Sequence, residues 1–334
     1  MTRMRAVTVA AFGAPPELTE IPVPQPGPGE LLVRIQSASI NPADRKIADG
    51  FLKGKALHRF PLVLGADGAG TVTAIGPAVT RFHVGERITG RFSGPPIGRG
   101  SFAEYAVIAQ DTVLTRLPDR FSMVEAAALP VAGLTARALD TAIGPHLDRR
   151  ILVIGAAGGV GSFFVQFANS HGAYVIATGH QDDERRLRLL GAVEVIDYTQ
   201  TSVPDQVRTR HPDGVDALID LVSNPDEFQE LLALVRPGGI AFSTVGDAES
   251  AELVVRGLGG GNFQHLPRSE DLAQLVQAVA HRRIHVPIER TVHLDELPAV
   301  LTATGGQRGK TVAVIGTGDR SGDLDRWRTR DSTR

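Results

Sequence analysis

The sequence predicts an α/β protein in which a β-rich first part precedes a doubly wound parallel sheet with helices on both faces. Three observations carry this. Up to about Ser122 the chain consists of short β segments separated by Gly and Pro. Beyond it, apolar strands alternate with amphipathic helices. Near mid-chain, Ile151 to Ala168 (ILVIGAAGGVGSFFVQFA) reads as a strand, a glycine-packed turn and a helix.

The early segments MRAVTVAAFG, GELLVRIQSASI, GAGTVTAIG, GERITGRF and FAEYAVIA carry β-branched residues bounded by turn formers. Closely spaced strands of this kind predict a curled, partly closed antiparallel sheet. Between them, Pro22 to Glu30 (PVPQPGPGE) is a stiff connector that can be neither helix nor central strand. Ser122 and Glu125 then form a capping-box signature at the head of SMVEAAALPVAGLTARALDTA. The runs RILVIG, AYVIATG, VEVID, DALIDLV and GIAFSTVG alternate with the helical GSFFVQFANSHG, DDERRLRLLG and PDEFQELLALVRPGG. That alternation is the pattern of a parallel sheet buried on both faces. After about Leu266 come one more helix, SEDLAQLVQAVAHRRI, the segment ERTVHL and a strand, GKTVAVIG. Residues 317–334 are polar and are expected to form a flexible tail.

Composition narrows the function. A chain of 334 residues is expected to split into two domains. A net charge of −2 gives no reason to expect a nucleic-acid or membrane partner. There is no cysteine, which excludes disulfides, thiolate nucleophiles and every cysteine-ligated zinc or iron–sulfur site. No run of 18 apolar residues and no leader pattern occur, so a soluble, cytoplasmic protein is expected. The ten histidines show no close ligand spacing, so no metal site is predicted. Hydrolase chemistry lacks its G-x-S-x-G elbow, and Tyr105, Tyr174 and Tyr198 each lack a lysine four residues on.

In the turn Ala156, Ala157, Gly158, Gly159, Val160, Gly161, glycines fill the second and third positions of a G-x-G-x-x-G pattern. Gly158 would let the backbone approach a pyrophosphate, and Gly161 would let the helix pack closely on the strand. The helix start adds free N–H groups and a positive dipole end. The next strand normally ends in a carboxylate that holds the ribose hydroxyls of NAD. Thr178 and Gly179 stand there instead, with His180, Arg185, Arg186 and Tyr198 nearby to receive a 2′-phosphate. Asp182 and Asp183 oppose this unless they cap the following helix. NADPH (NADP) is the expected cofactor.

Together with the β-rich start, the motifs NPADRKIADG, LGADGAGTVTAIG, AAALPVAGLTA, GAAGGVG and RGKTVAVI resemble the zinc-independent quinone oxidoreductases of the medium-chain dehydrogenase/reductase superfamily. The nearest subgroup is that of quinone and enone (alkenal) reductases, and the likeness runs from about Arg5 to Ile315. It implies a GroES-like β-barrel catalytic domain, 1–124 completed by 266–316, with an inserted Rossmann NADP-binding domain at 125–265. Asn41, Ala66 and Ala132 stand where metal-dependent relatives hold catalytic zinc.

Without zinc as a Lewis acid, oxidation of an alcohol is disfavoured. A quinone or an α,β-unsaturated carbonyl already accepts hydride and needs only positioning and a hydrogen bond to the oxygen that gains charge. The candidate catalytic residues are Asn41, whose amide would meet cofactor or substrate, Asp44, which would hold the loop or the nicotinamide ribose, and Lys46, which would stabilise an enolate. Thr135 is expected to face the cofactor or to bond back to its own helix. Asp220, Val222 and Ser223 on one strand end, and Val245 and Gly246 on the next, fall where α/β sheets place ligands. The expected activity is NADPH-dependent reduction of a small-molecule quinone or enone. Enoyl-thioester or polyketide enoyl reduction, and a weakly catalytic NADPH-binding protein, are the alternatives. A homodimer is expected through the segment Ala251 to Gln264.

Overall fold

The structure is a computed structural model that describes residues 2–246, 248, 250–303 and 308–315; the expected tail lies outside the described residues. Its first part contains β1 (Arg3–Val9), β2 (Glu17–Pro22), β3 (Glu30–Ser39), α1 (Pro42–Ala48), β4 (His58–Val63), β5 (Asp67–Ile75), β6 (Arg87–Arg91), β7 (Ile97–Arg99), β8 (Tyr105–Ala109) and β9 (Leu114–Arg116). Helices α2 (Met123–Ala127) and α3 (Pro130–Ile143) lead out of it. An alternating run follows: β10 (Arg150–Ile154), α4 (Gly159–Ser170), β11 (Tyr174–Gly179), α5 (Glu184–Leu189), β12 (Glu194–Asp197), α6 (Val203–Arg210) and β13 (Val215–Asp220). It continues with α7 (Pro225–Leu232), β14 (Val235–Ser243), α8 (Ser250–Val255) and β15 (Gly259–Asn262). The described residues close with α9 (Ser269–Ala280), β16 (Ile288–His293), α10 (Leu297–Thr302) and β17 (Lys310–Val314).

The alternating run forms a parallel sheet in the order β12-β11-β10-β13-β14-β15. Strand order therefore reverses between β10 and β13, and that point is where doubly wound sheets open a ligand crevice. The central strand shows why it is central. Ile151, Leu152 and Val153 are fully buried, so both faces are covered, and Phe163 and Phe164 of α4 pack against the sheet. Each such side chain contributes roughly 1.5–3 kcal/mol relative to exposure.

The first part is the GroES-like barrel, with sheets β2-β1-β4-β7 and β16-β17-β3-β5-β6-β9, where β8 also pairs with β3. The last strand belongs to it: β17 runs antiparallel to β3, with Val312 opposite Ser39 and Ala313 opposite Ala38. Just before entering that sheet the chain touches the Rossmann domain. Gly309 forms a bridge with Gly158 and donates its N–H to the Ala157 carbonyl at 2.8 Å. One short segment thus joins the glycine turn to the barrel. Among the described residues, no helix is long and apolar enough to cross a membrane.

Gly161 has the packing role its position predicts. A Cβ there would stand 2.4 Å from the Gly155 carbonyl oxygen and 2.6 Å from the Ala156 Cα, both backbone atoms with little room to yield. Gly161→Ala should lower unfolding stability by about 1–3 kcal/mol, read from urea melts. An unchanged midpoint would mean that α4 does not need this close approach.

Candidate active site

Asn41 begins α1, and its surroundings explain the loop. Asp44 turns back so that its Oδ2 accepts the Asn41 N–H at 2.8 Å, while its Oδ1 accepts the Ala66 N–H at 3.0 Å. Asp44 thereby fastens the NPAD loop to the loop that leads into β5. Asp67 fastens two more pieces: Oδ2 accepts from Asn41 Nδ2 at 2.9 Å, and Oδ1 accepts from the Val131 N–H at the head of α3, at 3.0 Å. The Asn41 Oδ1 accepts from Lys310 Nζ at 2.6 Å, and the same ammonium donates to the Ile40 carbonyl at 2.9 Å. Asn41 also donates to the Ser39 carbonyl at 3.3 Å. Both ends of its amide are committed to protein groups, and the residue is only 3% exposed.

This network holds two carboxyl groups and one ammonium in a fully buried setting. Burial raises the Asp44 carboxyl to about 7, against the pull of the Asn41 N–H, and the neighbouring Asp67 raises it further. Burial likewise raises Asp67 to about 6, with the Lys310 charge opposing it. Burial pushes the Lys310 ammonium down, opposed by the same two carboxylates. Such groups titrate together. The net result is a cluster that retains a carboxyl proton towards neutral pH. No sequence spacing points to Lys310 or Asp67, since Lys310 meets Asn41 across 269 residues of chain.

The positions of the zinc ligands in metal-dependent relatives gather around this cluster. Asn41, Ala66 and Ala132 are all buried there. None offers an imidazole, thiolate or carboxylate, and the two acids beside them, Asp44 and Asp67, have all their oxygens in hydrogen bonds.

Beside the cluster lies the glycine turn. Gly155 adopts φ +79°, and a Cβ there would meet the Val222 side chain at 2.9 Å. Gly158 caps α4 in extended backbone, leaving the first N–H groups of that helix without intrahelical partners. Ala156 is buried, whereas Ala157, Gly158, Gly159 and Val160 are half-buried and line the surface of the turn. A Cβ on Gly159 would strike Lys310 Cδ at 2.7 Å, so the lysine stem runs from the turn to Asn41. At the adjacent strand ends, Asp220 accepts from the Val222 and Ser223 N–H groups at 3.3 and 3.0 Å and from Ser243 Oγ at 3.0 Å. Ser243 Oγ in turn accepts the Val245 N–H, and Gly246 takes φ +103°. Val222 is left exposed at the crevice.

At the end of β11, Thr178 is buried and its hydroxyl faces inward: it accepts the Gly155 N–H at 3.1 Å and donates to the Val153 carbonyl at 3.2 Å. It braces the turn. Gly179 is buried against Leu187 and Asp183. His180 Nδ1 accepts the Asp182 N–H at 3.3 Å. Asp183 folds back onto the His180 N–H and sits beside two cations, Arg186 at 3.3 Å and Arg308 at 3.4 Å. Arg186 also donates to the Ala157 carbonyl at 2.7 Å. Arg185 and Tyr198 are exposed on the same flank. Arg308, from the segment before β17, is a cation that the sequence pattern did not single out.

On the barrel side, Thr135 Oγ1 lies 3.2 Å from His265 Nε2, not on its own helix, and His265 stacks on Phe263. Burial, with Arg91 close by, holds His265 below its usual range. Arg91 ends β6 opposite Asp67, and its buried Nε has no hydrogen-bond partner. Lys46 is exposed on α1, outside the buried cluster.

Residues 27–119 match the family described as the alcohol dehydrogenase GroES-like domain, and residues 159–262 match the family described as zinc-binding dehydrogenase. The chain is 35% identical over 231 residues to the chloroplastic quinone-oxidoreductase QR1 of Triphysaria versicolor, covering 66% of this chain and 68% of that one. It is 30% identical over 333 residues to the mitochondrial NAD(P)H oxidoreductase RTN4IP1 of Mus musculus, covering 86% and 82%. The chain belongs to the zinc-independent quinone oxidoreductase branch of the medium-chain dehydrogenase/reductase superfamily. The solved quinone oxidoreductase of Coxiella burnetii superposes with a TM-score of 0.83 at 27% identity, over 94% of this chain and all of that one. It is thus an oxidoreductase of an NAD(P)H-dependent family. The glycine turn fits such a nucleotide, since α4 begins there and its first N–H groups have no intrahelical partners to satisfy them.

Lys310→Met tests the cluster. Removing the buried ammonium leaves the Asn41 Oδ1 and the Ile40 carbonyl without their donor, which should cost about 1–3 kcal/mol. Because the two carboxyls also lose its charge, the cost should depend on pH in a definite direction. Both carboxyls have folded values above the ordinary 3.8, so their favourable contribution is present at low pH and is lost as pH rises through 6 to 7. Without the ammonium, protons can compensate at pH 5 but not at pH 8. Urea melts should therefore show a much larger loss at pH 8. An equal loss at both pH values would contradict the assignment.

Proposed function

We propose that the chain is an NADPH-dependent reductase that adds hydride to a quinone or to the C=C bond of an α,β-unsaturated carbonyl. One observation carries the reading. The ground that zinc occupies in metal-dependent relatives is closed by the Asn41–Asp67–Lys310 network, and opposite Asp67 stands a further cation, Arg91, whose buried Nε has no hydrogen-bond partner. Reduction of an electron-poor acceptor places negative charge on an oxygen. A preorganised donor in a dry site is what lowers that barrier.

Bound NADPH would supply the hydride. The glycine turn and the start of α4 would hold its pyrophosphate, with the Val222 and Val245 strand ends flanking the crevice. Lys310 and Asn41 act by position: they lock the floor of the crevice so that the two domains meet in one geometry. Arg91, and the Thr135–His265 pair, can present donors to the acceptor oxygen. The exposed Lys46 is left as a candidate for contact with a substrate that reaches the rim, and no side chain in the buried cluster is required to deliver the second proton, which solvent can provide.

Preference for NADPH over NADH is supported at the end of β11. The Thr178 hydroxyl turns inward, Asp183 is occupied by Arg186 and Arg308, and the exposed Asp182 carboxylate is paired with His180 at 3.5 Å and Arg308 at 3.8 Å. His180, Arg185, Tyr198 and Arg308 surround the place of a 2′-phosphate. A homodimer is supported by β15, an edge strand of the parallel sheet, and by Val254 and Val255, exposed on α8 beside it.

The direct test is NADPH oxidation with a panel of quinones and small enones. Turnover is expected with several of these acceptors, and none across the panel would defeat the reading. NADPH should bind at least tenfold more tightly than NADH. Arg185→Ala combined with Arg308→Ala should erase most of that difference while changing NADH affinity little, as followed by cofactor fluorescence. Light scattering should give the mass of a dimer, and a monomer would remove that part of the proposal.

A further inference from the structure

Far from the crevice, three potential metal ligands converge where the C-terminal ends of two helices meet. Asp140 lies on the last turns of α3, His146 follows in the loop, and His171 terminates α4. His146 Nε2 is 2.9 Å from Asp140 Oδ1, and His171 Nδ1 is 3.1 Å from Asp140 Oδ2. One donor atom from each of the three falls within 4.8 Å of the others. An ion about 2.0–2.1 Å from each donor in tetrahedral geometry needs them roughly 3.3 Å apart, which these spacings approach.

His146 is the decisive residue. Its side chain is 4% exposed, and its buried Nε2 makes no hydrogen bond. The Asp140 oxygen is near enough, but it stands outside the direction in which the ring nitrogen could donate to it. A buried imidazole nitrogen facing a carboxylate without bonding it leaves a polar group unsatisfied, at a typical cost of about 1–3 kcal/mol. Asp140 Oδ1 already pairs with His171 Nδ1 at 3.3 Å, so a cation seated between the two rings and the carboxylate would satisfy the His146 nitrogen that is left over. The third ligand, His171, is 56% exposed, so its side keeps a position open to water.

The electrostatics agree. Helices α3 and α4 both direct their C-terminal carbonyls towards this corner, which favours positive charge. Arg149, the neighbouring cation, is engaged by donating to the Ile143 carbonyl at 3.1 Å. Two neutral imidazoles and one carboxylate are the donor set of zinc and its neighbours, not of calcium or magnesium.

We propose that Asp140, His146 and His171 form a site for one divalent transition-metal ion of the zinc class, which clamps the distal ends of α3 and α4. The site is separate from the crevice: Asp140 lies ten residues along α3 from Pro130, about 15 Å by helical rise. Its role is to stabilise the packing of the two helices whose opposite ends carry Val131 and the glycine turn. The proposal does not depend on the identity of the acceptor or the cofactor.

The experiment uses untagged full-length protein, stripped with chelator and dialysed against micromolar Zn²⁺. Elemental analysis should find one zinc per chain, and zinc should raise the melting temperature by several degrees. His171→Ala removes an exposed ring and should leave the fold intact by circular dichroism, yet lower zinc affinity at least tenfold and abolish the thermal shift. His146→Gln should do the same, and Co²⁺ should give a visible d–d spectrum in the wild type that both variants lose. Absence of stoichiometric binding would overturn the proposal. So would zinc binding that survives both substitutions, and so would a thermal shift of equal size in the variants.

Discussion

The ammonium of Lys310 is the point on which the two domains depend. It lies at the first residue of the last strand, so the end of the chain carries it into the barrel beside β3. Its stem passes over Gly159, and its charge is shared by the Asn41 amide and the two buried acids. A hydrogen bond to a charged group is about twice as strong as a neutral one, and in a dry interior its loss leaves charges that water cannot reach. The loop before α1, the head of α3, the glycine turn and the returning strand are thereby tied to a single buried charge.

This arrangement explains how the fold does without a catalytic metal. In a zinc site the ion both polarises the substrate and organises the loops that ligate it. Here the organising task passes to Asp44 and Asp67, whose four carboxylate oxygens each accept at least one backbone or amide N–H or lie within the same cluster. Polarisation has no equivalent replacement within the cluster. An electron-poor acceptor, the substrate class proposed above, is the kind that asks for no such polarisation.

Much of the fold was legible because it is local. Strand and helix periods and the glycine turn are features of contiguous residues, and each appears where the pattern places it; the return of GKTVAVIG to the barrel pairs distant strands, and only the family resemblance implied it. The role of Gly161 was legible for the same reason. The site was read less completely. Asn41 and Asp44 do sit at its centre, but both are spent on holding loops: Asp44 caps back onto Asn41, and the Asn41 amide is consumed by Lys310 and Asp67. Thr178 turns inward to brace Gly155 instead of outward to a ribose. Lys310, Asp67, Arg91 and Arg308 carry no local signature, since a lysine at the edge of an apolar strand looks like any solvated lysine. The Asp140–His146–His171 corner escaped for a similar reason: its ligands are 6 and 25 residues apart in sequence and meet only because α3 and α4 pack together.

The central claim is that hydride moves from a nicotinamide to an electron-poor carbon in a crevice organised by side chains instead of by a metal. It is tested most directly with NADPH deuterated at C4 and an α,β-unsaturated ketone, using protein whose metal content has been reduced to zero by chelation. The account predicts that the saturated ketone carries deuterium at its β-carbon and that the rate matches that of untreated protein. Loss of the transfer on chelation while circular dichroism shows the stripped protein still folded, with recovery when Zn²⁺ is restored, would contradict it.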